Sequence, residues 1–239
     1  MEEKYARYLL EKTKRDYDLI ASEFSKRRAK PWKEARFLFD KYISPGDKVL
    51  DTGCGCGQYA DFVRERGGEY FGVDVSKKLI EIAKKKHPEL KFQTASVLKL
   101  PFPENFFDRV YAIALLHAIP SQKFRAQALK EMKRVLKMGG LLILSVWNIA
   151  KKRKKRKLIL KFALLKILGK TKLEFGDILT NWQGINDCYF HCFTKHGLKK
   201  AVEMAGLKTI EEGEFSLGKK KSENSNFYLV AQKKNRPNT

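Results

Sequence analysis

VLDTGCGCGQYADF, residues 49–62, decides how the rest of the chain is read. Three glycines alternate with two cysteines directly after a short apolar run. The stretch admits a nucleotide loop, a metal site or a tight turn, and spacing separates them. Glycine lets the backbone approach a ligand closely, and a helix start behind the loop offers free N–H groups. A dinucleotide fingerprint needs G-x-G-x-x-G or a final Ala. Counted from Gly53 the last position is Gln58 and the match fails; counted from Gly55 it is Ala60, the weaker variant. A phosphate loop needs a Lys after its last glycine, and none follows here. Asp74 closes the next apolar run ~20 residues on, where a ribose diol would sit. The loop suits an adenosyl ligand and only weakly a dinucleotide.

Outward from the loop, short apolar strands alternate with amphipathic helices. KVLDT (48–52), YFGVDVS (70–76), LKFQTAS (90–96), DRVYAIALL (108–116) and LLILSVW (141–147) read as strands. QYADFVRERG, KKLIEIAKKK (Leu79, Ile80 and Ile82 inward) and QALKEMKRVLKMGG read as the helices between them, the last stopping at Gly139–Gly140. Such alternation predicts right-handed crossovers and an α/β fold with a doubly wound, mostly parallel sheet. TKHGLKKAVEMAGL reads as a further helix, and TIEEGEFSL and NSNFYLVAQKK as closing strands, for seven in all. Residues 1–44 read as an N-terminal helical extension punctuated at Pro31–Trp32, and 45–239 as one domain with a basic insertion at 149–180.

The 239 residues carry 50 Lys+Arg against 27 Asp+Glu, a net charge of +23 that attracts polyanions. A lysine-rich surface kept for solubility is the plain alternative. The charged start has no signal-peptide core and no apolar stretch reaches a membrane span, so a soluble cytoplasmic protein is expected. Cys54, Cys56, Cys188 and Cys192 are too sparse for a disulfide scaffold. Their spacing is poor for structural zinc and a ligating pair would block the glycine loop, so they read as small apolar filling and no metal is expected.

VLDTGCGCG, FGVDVS, SVLKLPF, FDRVYAIALLH and LKMGGLLILSVW, in that order, resemble the motif series of class I S-adenosylmethionine-dependent methyltransferases, which have a Rossmann-like fold. The resemblance implies S-adenosyl-L-methionine as cofactor. Gly53, Gly55 and Gly57 would pack on its methionine part, with Asp51 ordering the loop. Asp74, followed by Val75, would bind the ribose; Ser96 and Val97 would meet the adenine; Ile113 and Ala114 would lie near the sulfonium.

YDLIASEFSKRRAKPWKEARFLFD (17–40) is similar to the N-terminal motif of the tRNA wobble-uridine methyltransferases, which esterify 5-carboxymethyluridine in eukaryotes and archaea. Tyr17–Asp18, Phe24–Ser25, Arg28 and Pro31–Trp32 match it, as do Tyr189, His191 and Phe193 near the other end. Cys188 stands where that family has Arg, and His117–Ala118 where it has two histidines. The resemblance implies tRNA as substrate and, as in that family, a small zinc-binding activator protein as partner. An acceptor carboxylate, with a pKa near ~4, is ionised at neutral pH and needs no general base. Arg28 and His191 are the expected acceptor-recognition residues, with Tyr17 near the methionine end and Trp32 as packing or a stacking surface. The plain alternatives are a solvated helix cation for Arg28 and a packing histidine for His191.

KKRKKRK (151–157) has the density that binds phosphate backbones without reading sequence. The LILKFALLKILG that follows could lie on a membrane surface or a partner. RNA ranks first, membrane-surface contact by 151–170 or a partner second, and a solvated loop third. Trp182 and Tyr189 could stack an unpaired base. A methyltransferase of a small or lipid-like molecule, and a non-catalytic binding module on the same fold, are the competing functions.

Overall fold

The computed structural model describes residues 1–28, 30–218 and 224–234. The final stretch of the expected 45–239 domain thus lies partly outside the described residues. Nine strands are described: β1 (Lys48–Thr52), β2 (Glu69–Asp74), β3 (Lys91–Thr94), β4 (Phe107–Ile113), β5 (Leu136–Trp147), β6 (Asp177–Trp182), β7 (Ile185–His191), β8 (Leu207–Ser216) and β9 (Ser225–Lys233). Seven of them form one sheet in the order β3-β2-β1-β4-β5-β9-β8. β9 runs antiparallel to both neighbours and the other pairings are parallel. The helices are α1 (Glu3–Arg27), α2 (Arg36–Tyr42), α3 (Ala60–Arg64), α4 (Lys77–Lys86), α5 (Gln122–Val135), α6 (Arg153–Ile167) and α7 (Lys195–Met204). This is the doubly wound α/β sheet the alternation predicts, with the N-terminal helical extension and the basic insertion after the fifth strand.

Both faces of the sheet are covered, so its central strands are nearly continuous apolar runs. Successive side chains point to opposite faces. Leu50, Val110, Leu142 and Leu144 meet Ala128, Leu129 and Met132 of α5 and Val202 of α7 on one side. Val49, Tyr111 and Ile143 meet Leu38 and Phe39 of α2 and Val63 of α3 on the other. Burying each such large side chain contributes roughly 1.5–3 kcal/mol, which fixes the strand register. Side-chain caps set three helix starts: Ser76 on Leu79 N for α4, Ser121 on Phe124 N for α5 and Thr194 on Gly197 N for α7.

Three expectations shift. α5 ends at Val135 instead of running to Gly139–Gly140. The chain enters β5 at once, and a register slip against β4 absorbs residues 136–140. Gly140 lies so close to β4 that a Cβ there would sit 3.0 Å from the Asp108 carbonyl oxygen. The fourth strand stops at Ile113, because Ala114 turns to a φ of 55° before a tight turn at Leu116–Ala118. Finally, the insertion holds a β6–β7 hairpin besides its helix.

The hairpin is pinned to the sheet domain by a buried polar network. The Tyr189 hydroxyl donates to Asp177 Oδ1 at 2.7 Å, Arg125 donates to that hydroxyl at 2.9 Å, and Arg125 also donates to Glu174 Oε2 at 3.1 Å. α6 packs Leu158, Ile159 and Phe162 inward but leaves Leu160, Leu164 and Ile167 facing water. No helix among the described residues is long and apolar enough to cross a membrane.

Candidate functional site

The glycine loop springs from the C-terminal end of β1, at the sheet centre, where strand order reverses and doubly wound folds bind ligands. Gly53 N and Cys54 N both donate to the Val73 carbonyl, at 2.7 and 3.0 Å, which ties the loop to β2. Gly53, Gly55 and Gly57 all have positive φ. A Cβ at Gly53 would lie 2.8 Å from Leu115 Cδ1. One at Gly57 would lie 2.9 Å from Phe92 Cζ, so that glycine serves packing away from the cavity.

Above the loop lies a cavity of about 610 Å³. Gly53 and Gly55 line it, together with Asp74 and Val75 from the end of β2, Ser96 and Val97 after β3, and Ile113 and Ala114 after β4. Asp74 Oδ2 accepts from Gly55 N and Oδ1 from Ser76 N, each at 2.9 Å. Burial pushes its carboxyl above the ordinary range, with these N–H donors opposing. α1 covers the cavity with Tyr17 and Phe24, and Arg28 reaches it from the end of that helix. The helix is fastened through Asp18, whose Oδ1 accepts from Ser76 Oγ at 2.6 Å and Lys78 N at 3.2 Å. Tyr17 and Phe24 also meet Trp182 of the hairpin, with ring centroids 5.6 and 6.3 Å apart. Burial raises the Tyr17 hydroxyl well above its ordinary value, so it is a neutral donor.

A second cavity of about 310 Å³ adjoins the first, and Arg28, Trp32, Trp147 and Trp182 line both. The Arg28 guanidinium lies 4.3 Å from the Trp32 ring centroid, a cation–π contact. It has no hydrogen-bond or ion-pair partner among the described residues. Burial lowers its pKa, although guanidinium stays protonated.

Three expected site residues lie outside both cavities. Asp51 is buried beneath the loop, accepting from the Tyr70 hydroxyl at 2.9 Å. Burial pushes its carboxyl up to about 7; Asp74's charge adds to the rise and the Tyr70 bond opposes it. Gly57 faces Phe92. His191 points to the hairpin anchor, its Nδ1 2.7 Å from Asp177 Oδ1. Burial lowers its pKa, against the pull of Asp177. Trp147 carries no sequence signal beyond its strand, yet it stands at the C-terminal end of β5 and lines both cavities, where ligands gather in such folds. His117 backs it at 4.5 Å between ring centroids, held neutral because burial drops its pKa to about 3.

The residues fit an adenosyl cofactor: a backbone cradle where side chains would intrude, an acid at the ribose position, and a hydroxyl beside an apolar wall for adenine. Cys54 and Cys56 are buried in the loop and Cys188 is buried in the hairpin. Among the described residues no three His, Cys, Asp or Glu side chains gather to hold a metal ion.

Residues 50–144 match the family described as Methyltransferase domain. A protein of Encephalitozoon cuniculi named as a methyltransferase is 31% identical, over 83% of this chain and 88% of its own length. The tRNA (carboxymethyluridine(34)-5-O)-methyltransferase of Schizosaccharomyces pombe is 28% identical over 91% of this chain and 94% of its own. Its Arabidopsis thaliana namesake is 37% identical over 56% of this chain, which spans only 32% of that protein. Among solved structures, a SAM-dependent methyltransferase of Methanosarcina mazei superposes with a TM-score of 0.73 at 23% identity, covering 83% of this chain and 98% of its own. A chain from the complex between the Haloferax volcanii Trm112 methyltransferase activator and a methyltransferase gives 0.70 at 16% identity, covering 95% of this chain and 100% of its own.

Proposed function

The chain belongs to the class I S-adenosylmethionine-dependent methyltransferases, and from that premise we propose that it methylates tRNA, esterifying a 5-carboxymethyl group on the wobble uridine. The observation that carries the acceptor's chemistry is Arg28. A guanidinium without a carboxylate partner among the described residues, at the wall shared by the two cavities, is arranged to receive an anion beside the cofactor.

When bound, S-adenosylmethionine supplies a methyl group activated by the adjoining sulfonium. Gly53, Gly55, Asp74, Val75, Ser96, Val97, Ile113 and Ala114 hold and orient it in this reading. The acceptor carboxylate is already ionised at neutral pH, with a pKa near ~4, so no side chain needs to remove a proton. Arg28 fixes the carboxylate by charge and paired N–H donors, which leaves alignment as the main catalytic task. Tyr17 and Trp182 close the junction against water. Asp51 and Gly57 shape the loop from below, and His191 positions the hairpin through Asp177.

The names of the fission-yeast and plant relatives support tRNA as substrate, and the net charge of +23 supports a polyanion. The Haloferax complex supports a small activator protein as partner. Residues 1–44 as an extension, 45–239 as the catalytic domain with the insertion at 149–180, and the cytoplasm as the compartment complete the proposal. The test incubates methyl-tritiated cofactor, with and without the activator, with total tRNA and with a small-molecule extract. Nucleoside analysis should place the label in a base-hydrolysable ester on uridine. Label only in the small-molecule fraction would sink the tRNA reading.

A further inference from the structure

The second cavity is put together by segments distant in sequence. Trp147 comes from the end of β5, Lys152 and Lys155 from the basic run, Thr180 and Trp182 from the hairpin, and Asn226 from β9. Its volume of about 310 Å³ is at the small end of ligand cavities. Resting on the tRNA reading above, we infer that this cavity is a nucleotide subsite in which the Asn226 carboxamide reads the base edge and Lys155 holds a backbone phosphate.

Flat walls come first. The rings of Trp147 and Trp182 lie 5.8 Å apart between centroids, and Phe190 stands 5.2 Å from Trp147. Indole faces accept any planar base by stacking. A polar group then selects what enters. Asn226 is 1% exposed, and its amide Nδ2 is buried with no hydrogen-bond partner among the described residues. Such a group is costly unless something satisfies it. A base carbonyl at the wall does so; an alkyl chain does not. The charge completes the site. Lys155 is half-buried, its Nζ donates to Thr180 Oγ1, and it has no ion-pair partner among the described residues. An ammonium has three donors, so two remain for a phosphate oxygen. Burial and the neighbouring Lys152 lower its pKa, a cost that a bound phosphate would relieve. Arg28 lies where this cavity meets the cofactor's, so a ring bound here can direct its acidic substituent to the methyl while its phosphate stays with Lys155.

The test measures binding apart from methyl transfer. With S-adenosylhomocysteine saturating, a labelled anticodon stem-loop carrying uridine at the wobble position is compared by anisotropy with the same stem-loop made abasic there. The wild-type protein should bind the uridine form about tenfold tighter. Asn226→Leu should bind both forms at the abasic level. Lys155→Met should weaken both several-fold and keep the preference. Calorimetric affinity for S-adenosylhomocysteine should be unchanged in both, which reports an intact fold; Asn226→Ser replaces Asn226→Leu if that affinity is lost. A wild-type preference retained without Asn226, no preference in the wild type, or affinities unmoved by Lys155→Met would overturn the subsite. If tRNA takes no label while the preference and its loss hold, the methylation reading falls and the subsite stands. If tRNA is esterified and both variants keep wild-type KM, the reverse holds.

Discussion

The two adjoining cavities are made of different material. The larger is laid out by the ends of parallel strands, with glycine backbone and one carboxylate at its base. The smaller is made of long side chains, tryptophans and cations among them, drawn from four separate stretches of the chain. A backbone-made wall changes little when sequence changes, which suits a ligand that stays constant. A side-chain wall is redrawn by a few substitutions, which suits the recognition of one particular acceptor. Arg28 lines both cavities, so in the proposed function it stands where the cofactor's site meets the acceptor's.

The sharpest way to break that contrast is Gly53→Val. The φ of +71° and the Leu115 contact both oppose a side chain there, and the expected loss of cofactor affinity is on the order of a hundredfold. Calorimetry showing affinity within a few-fold of wild type would mean the backbone does not make the cradle. Arg28→Ala is its counterpart in the side-chain half. It should lower kcat/KM for the anionic acceptor by about a hundredfold, with a much smaller effect on cofactor affinity. Arg28→Lys should recover little, since an ammonium lacks the planar fork.

Asp51 sharpens the comparison through pH. Its folded pKa of about 7 exceeds the unfolded value, so between roughly pH 4 and 7 the folded state holds more protons than the unfolded one. Stability must therefore fall as pH rises through that window. Asp51→Asn removes the decline, and the variant should gain about 2 kcal/mol on the wild type between pH 5 and 7. Parallel denaturation curves at the two pH values would rule this out. The smallest effect concerns the basic run. Replacing the exposed Arg153, Lys154, Arg156 and Lys157 by Gln should weaken RNA binding alike across sequences and flatten its salt dependence by about 0.7 per lost phosphate contact. An unchanged slope would leave the run without an RNA role.

The parallel sheet and the glycine loop could be read from the chain because their signals are contiguous: an apolar run, a turn, a helix, and an acid at a fixed interval. The α5–β5 boundary was misplaced because Gly139–Gly140 looks like a helix stop, while the bulge it serves depends on β4, a different part of the chain. The hairpin is not legible because its anchor joins Asp177 and Tyr189 to Arg125 on α5, a partner no local pattern announces. The second cavity was illegible for the same reason. Trp147, Trp182 and Asn226 are brought together by chain crossings alone, and an asparagine in a closing strand gives no advance sign that it is unsatisfied.

Trp32, Trp147 and Trp182, the chain's three tryptophans, all line the junction of the two cavities. The protein's long-wavelength ultraviolet emission therefore arises from one spot, and two of its indoles are near enough to exchange excitation. Cofactor arrival and base arrival should each change the quantum yield and the emission maximum of that single source. The fold thus carries its own optical gauge, able to time the order of ligand entry by rapid mixing without an added dye.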